Sequence, residues 1–195
     1  AVRIAHTLRT LGVKSVVDVA CGTGHHAAMF HSWGLRVEGA DISPNMIARA
    51  RERFGEPQAL GWMVRGYDQP IQSENPFDAA VCVGNSLALA PDTATTYEAI
   101  RQMLAGVRRS GVAIVHVLNV WSMPDGPCIW QKVVRTTLPD GPAMIIKGVH
   151  RSGDKAYVEL LVRLLESDKD LRSTCVPFLG LQAADLERVM RESGA

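Results

Sequence analysis

A chain of 195 residues is long enough for one domain with a sizeable core, and its 47% apolar and 21% charged residues are ordinary for a globular protein. A formal charge of +1 supplies no field that would gather nucleic acid or an acidic membrane surface. Cysteines at 21, 82, 128 and 175 form no CxxC pair and no Cys/His ligand spacing, so they read as reduced thiols of a cytoplasmic protein and no metal is expected. No apolar run approaches the length of a bilayer span and no secretory signal opens the chain.

The first helix is expected over Ala1 to Leu11, and Val13 to Ala20 (VKSVVDVA) reads as a β-branched strand ended by the turn CGTGHH. A helix from about His25 to Trp33 stops at Gly34, and Leu35 to Ala40 alternates as a second strand. Ser43-Pro44 starts the next helix, serine as N-cap and proline at the first helical position, with Met46, Ile47, Ala50 and Phe54 as its apolar stripe. Strands follow at Gly61 to Val64, Phe77 to Val83 and Gly111 to Val117, with an amphipathic helix over Thr95 to Val107. Alternation of this kind implies right-handed βαβ units and a doubly wound, mostly parallel sheet of the α/β class.

After Asn119 the pattern changes. Ile129 to Thr136, Ala143 to His150 and Ala156 to Leu165 are strand-like and joined by the turn clusters LPDGP and RSGD, which predicts an antiparallel meander rather than crossovers. A last helix is expected over about Gln182 to Ser193. The organisation expected is a single domain over 1–195 with an antiparallel insertion at 129–165, which would shape the acceptor pocket or form a contact in a homo-oligomer.

The chemistry is concentrated at the carboxyl ends of the strands, where open α/β sheets bind ligands. Gly22-Thr23-Gly24-His25-His26-Ala27 fits G-x-G-x-x-A, in which glycines admit a ligand close to the backbone and free helix N–H groups point at it. A bare glycine turn is the bland alternative. Asp18, within the strand before the turn, is costly to bury unless something polar uses it. Asp41 ends the second strand 17 residues after Gly24, where a carboxylate can accept two ribose hydroxyls, or else simply starts a helix. Ile42 and Met46 would offer apolar faces to an adenine, and Gly66-Tyr67-Asp68 closes the third strand where an adenine edge would be read.

VVDVACGTG, GADISPNM, GYD and FDAAVCVGNS together resemble the class I S-adenosylmethionine-dependent methyltransferases, over roughly residues 13 to 117. VCVGNSLALAPD is similar to the glycine and sarcosine N-methyltransferase branch. The resemblance implies S-adenosylmethionine as cofactor, with Asp18 fixing the loop and, often through water, the cofactor's amino group. It implies Ala20, Gly22, Asp41, Tyr67, Asp68 and Val83 in cofactor contacts and Asn85 and Ser86 near the transferred methyl. Where that branch carries a histidine and a carboxylate-binding arginine, this chain has Leu89 and Leu118, so glycine is not assigned as substrate. The methyltransferase fold usually ends in two further strands. The chain stops where these should begin, and an incomplete sequence is the expectation.

Methyl transfer needs a base only when the acceptor must lose a proton. His116 is the candidate base, against the alternative of a core histidine satisfied by a backbone group. His25 and His26 are expected neutral because the positive helix end disfavours a second charge. Trp62, Trp121 and Trp130 could wall a substrate pocket or pack in the core. The function expected is methyl transfer to N or O of a small molecule, without nucleic-acid or membrane partners. The rivals are an NAD-dependent oxidoreductase, for which no Tyr-x-x-x-Lys is present, and a cofactor-binding protein without catalysis.

Overall fold

The computed structural model describes residues 2–166 and 171–194, so Ala1 of the expected first helix lies outside the described residues. The chain divides into two compact units, Ala1–Leu87 with Pro91–Val117 and Ala183–Ala195, and Ala88–Ala90 with Leu118–Gln182.

The first unit holds α1 (Val2–Thr10), β1 (Ser15–Val19), α2 (His25–Ser32), β2 (Arg36–Asp41), α3 (Pro44–Phe54), β3 (Leu60–Val64), β4 (Phe77–Cys82), α4 (Thr93–Ala105) and β5 (Val107–Val115). The strands form one parallel sheet in the order β3-β2-β1-β4-β5. β1 is buried along its whole length because it is paired on both sides, which is why its sequence is β-branched rather than alternating. The order runs outward from β1 to β3 and then returns to β4 on the other side of β1, so the switch point falls between β1 and β4.

Helix starts follow the local chemistry. Ser43 Oγ accepts the Met46 N–H at 3.4 Å with Pro44 at the first helical position, and Asp92 Oδ1 accepts the Thr95 N–H at 2.7 Å to begin α4. α2 has no side-chain cap, since Gly24 occupies its N-cap in the left-handed region at φ 82°. α2 and α3 pack on β1 to β3 and α4 on β4 and β5. Leu8, Val16, Phe30, Ile47 and Trp62 belong to one buried cluster, and Ala99, Ile100 and Met103 bury the stripe of α4.

Opposite the ligand edge, Asp78 fastens β4 to its neighbours. Its Oδ2 accepts the Lys14 and Ser15 N–H groups at 2.8 and 2.9 Å, and its Oδ1 accepts Arg108 Nε. Burial alone would push its pKa up, but the Arg108 guanidinium and the Lys14 and Ser15 donors outweigh that and hold it at about 2. A carboxyl depressed below its ordinary 3.8 stabilises the fold above that pH and loses the contribution as pH falls through about 2. Asp78→Asn should lower Tm at pH 7 by about 4 °C. In thermal scans the gap to the parent should close between pH 4 and 2.

The second unit holds β6 (Ile129–Leu138), β7 (Gly141–Ser152), β8 (Lys155–Leu164) and β9 (Leu171–Leu179), an antiparallel sheet in chain order. Two-residue turns, Pro139-Asp140 and Gly153-Asp154, join the first three strands, and Gly153 supplies the positive φ of 62° that its turn requires. The fourth strand was not expected. Pro177 argues against a central strand, but β9 lies at the sheet edge, where a missing N–H is tolerated. α5 (Ala183–Glu192) returns to the first unit and packs on α4. No described helix is long and apolar enough to cross a membrane.

Candidate functional site

The loop after β1 is held open by backbone conformation. Ala20, Gly22 and Gly24 all have positive φ, at 59°, 56° and 82°, and Gly24 N–H closes the turn onto Cys21 O at 3.0 Å. The alanine at a left-handed position stores strain where a ligand would approach the backbone. α2 begins here, so its first N–H groups are offered at the loop.

Asp41 joins the two halves of the site. Its Oδ2 accepts the Gly22 N–H at 2.8 Å and its Oδ1 the Ser43 N–H at 2.9 Å, so one carboxylate ties the glycine loop to the start of α3. Each oxygen keeps a further lone pair. The bland reading of Asp41 as a helix-initiating acid is therefore too small, because the bond to Gly22 crosses between two loops.

Asp18 is 1% exposed, and its Oδ2 has no hydrogen-bond partner. Burial raises its pKa to about 7; the Ala27 amide, which donates to the carboxylate from the first turn of α2, opposes this, and the charge of Asp41 adds to it. Asp18 also pushes up the Cys21 and Cys82 thiols, after burial itself, so neither is a nucleophile at neutral pH. An orphaned buried carboxylate oxygen beside a glycine-rich loop fits a cationic group.

The adenine-side residues also come together. A Cβ on Gly66 would lie 2.7 Å from Asp68 Oδ1 and 3.6 Å from Ile42 Cδ1, so the turn after β3 faces the turn after β2. Ile42 is 71% exposed, an apolar side chain with no protein partner covering it. Met46 is half-buried one helical turn away. Gln69, which the sequence reading missed, closes this turn by accepting the Gly66 N–H at 2.8 Å through Oε1. A lone glutamine in a polar loop gives no signal of that role. Tyr67 is part-buried, and burial together with Asp68, Cys82 and Asp92 raises its pKa.

After β4, Asn85 takes φ 71° and its N–H donates to His116 O at 3.3 Å, which joins the ends of β4 and β5. Ser86 Oγ donates to Val83 O at 3.1 Å, and Val83 is itself buried. The side chain of His116 is exposed just beyond β5, which corrects the alternative of a core histidine. His26 has its pKa lowered, by burial first and by neighbours that include His25 and His116, so it is neutral at physiological pH.

Trp62 is 5% exposed within the parallel unit, whereas Trp121 donates through Nε1 to Gly180 O at 3.0 Å and Trp130 is 51% exposed, both in the antiparallel unit. Among the described residues no cluster of His, Cys, Asp or Glu could hold a metal.

Residues 16–111 match a family model described as a methyltransferase domain. Human glycine N-methyltransferase is 32% identical over 146 residues, spanning 64% of this chain and 50% of its own length. Trans-aconitate 2-methyltransferase of Escherichia coli is 28% identical over 151 residues, spanning 76% of this chain and 55% of its own. A sugar N-methyltransferase from a Streptoalloteichus species superposes over 98% of this chain and 75% of its own, with TM-score 0.73 and 26% identity. Residues 16–111 thus carry a methyltransferase domain, and the fold is the Rossmann-like fold of the class I methyltransferases. Its sequence is similar to the glycine N-methyltransferases, and it spans about half the length of the curated relatives it matches.

Proposed function

We propose that this chain acts as an S-adenosylmethionine-dependent methyltransferase that transfers a methyl group to N or O of a small molecule. The Asp41 carboxylate shared between Gly22 and Ser43 supports this reading most directly, since a carboxylate at the end of the second strand beside a glycine loop suits the two hydroxyls of a nucleoside ribose. Asp18 would answer the cationic amino group, Ile42 and Met46 the adenine faces, and Gly66, Tyr67 and Asp68 the adenine edge, with Ala20, Gly24 and Val83 completing the contacts. When bound, the sulfonium supplies an activated methyl group. The chain's own task is to orient an acceptor and exclude water.

Asn85 and Ser86 would position the acceptor, and an exposed His116 would take its proton when one must be lost. The related proteins carry names for glycine, trans-aconitate and sugar acceptors, a range that leaves the acceptor class open. We place the protein in the cytoplasm, on its four unpaired cysteines, without nucleic-acid partners. Ile129, Trp130 and Val133, exposed on the edge strand β6, support a homo-oligomer formed through the antiparallel unit.

Calorimetric titration with S-adenosylmethionine, S-adenosylhomocysteine and NAD tests the cofactor directly. Micromolar binding of the two sulfur nucleotides, about −8 kcal/mol, is the expected result. Binding of NAD alone would replace this reading with a nicotinamide oxidoreductase. Cofactor binding without transfer to any acceptor in a broad panel would instead favour a non-catalytic binding protein.

A further inference from the structure

We infer that Trp62 is a positioning residue for the cofactor loop, the surface against which Gly24 and Gly39 seat so that Gly22 reaches Asp41; this rests on the cofactor reading above. The glycines give the first observation. A Cβ on Gly24 would lie 2.5 Å from Trp62 Cη2 and 2.7 Å from Cζ3, and a Cβ on Gly39 would lie 2.6 Å from Cζ3 and 2.7 Å from Cε3. The benzene edge of the indole thus fills both notches at once.

The placement of these notches gives the contact its meaning. Gly24 lies two residues after Gly22, and Gly39 lies two residues before Asp41. Trp62 therefore touches the chain on each side of the bond from Gly22 N to Asp41 Oδ2. Gly24 is the N-cap of α2 and makes no side-chain cap bond, so the height of the loop is set by what it rests on.

The ring itself is fixed. Trp62 Nε1 donates to Gly55 O at 2.8 Å, and Trp62 O accepts Arg51 Nη2 at 2.9 Å. Arg51 is in turn paired with Glu56 at 2.8 Å, and the Phe54 ring lies 6.4 Å away between centroids. A ring anchored through its indole nitrogen, on a strand whose carbonyl is also held, and 5% exposed transmits its position to whatever rests on it. Buried to that degree, Trp62 is not itself a ligand contact. It acts through two glycines.

A size exchange tests the inference. Gly39 needs no positive φ, so alanine there meets the Trp62 ring first and the Ala27 Cβ next, at 3.2 Å. Trp62→Leu and Gly39→Ala should each raise the Kd for S-adenosylhomocysteine roughly tenfold. Each should also speed exchange of the Gly22 amide in the ligand-free protein. The double variant, in which the alanine methyl occupies space the ring has left, should recover most of both losses. If the double variant is as weak as the two single effects combined, the lock is wrong. It is also wrong if Trp62→Leu lowers Tm while affinity and Gly22 protection stay at the parent values. Should Trp62→Leu fail to fold, Trp62→Phe keeps an aromatic edge, loses the Nε1 bond and carries the same comparison. A parent protein that binds no S-adenosylhomocysteine overturns the cofactor reading instead, and Gly22 exchange still decides the lock.

Discussion

Asp41→Ala should weaken binding of both S-adenosylmethionine and S-adenosylhomocysteine about 100-fold, a loss of about 2.7 kcal/mol. Two effects add. The ribose hydroxyls lose a charged acceptor, and the Gly22 and Ser43 N–H groups lose the carboxylate that holds them at 2.8 and 2.9 Å. The loop then has no tie to the start of α3, so part of the binding energy must go to ordering it. Calorimetry beside thermal scans separates the outcomes. A folded variant with parental affinity would confine Asp41 to loop structure and remove it from the nucleoside site. Asp41→Asn, which retains one acceptor and turns a donor toward the other N–H, should fall between the two.

Asp18→Asn should abolish a pH dependence that the parent protein shows. With burial first among the causes, the folded-state pKa stands at about 7 against an ordinary 3.8. A carboxyl raised on folding is bound more tightly to its proton in the native state. The ligand-free fold therefore loses stability as pH rises from about 4 through 7, by at most about 1.4 kcal/mol per pH unit. Asp41 adds to this repulsion when Asp18 ionises, and the Cys21 and Cys82 thiols beside it stay protonated.

A cationic ligand favours the ionised form, so its affinity should rise with pH up to about 7 and then level. Binding below that pH should release a proton, measured as a dependence of the apparent binding heat on the ionisation enthalpy of the buffer. Asparagine at 18 should remove the proton release and bring Tm at pH 8 up toward its value at pH 5. Unchanged proton release in the variant would assign the titration to another group.

Much of the site could be read from residue types at strand ends. Asp18 was legible because a carboxylate inside a β-branched run is expensive, and Asp41 because its spacing from Gly24 is that of a ribose acceptor. The bond between Asp41 and Gly22 was not legible, since pattern alone does not say which of two backbone amides a carboxylate reaches. Trp62 read equally as pocket wall or core; its contact with two glycines depends on the parallel register that sets Gly39 opposite it. His116 lies just past β5 rather than within it and is exposed, which the expected strand to Val117 did not foretell.

Strand boundaries failed where polar residues interrupted the pattern. β5 begins at Val107, where the expected helix was to end and four residues before the expected strand; its register with β4 shifts between Phe77–Val107 and Ala79–Val112, an irregularity that hydrophobic pattern does not reveal. β9 was hidden by Pro177 and by a run of exposed polar positions that only an edge strand accommodates.

The two-residue turns of the antiparallel sheet bear on how the chain finds its fold. Pairing Leu138 with Gly141 or Ser152 with Lys155 closes only a few residues of chain, whereas pairing β1 with β4 joins residues more than sixty positions apart. Loop-closure entropy rises with the length enclosed, so the meander can form from local contacts while the parallel sheet must wait for distant strands. The parallel sheet that carries the candidate cofactor site is thus the part of the chain whose contacts are least local. Asp18 and Asp41, both candidates for that site, come near one another through the pairing of β1 with β2.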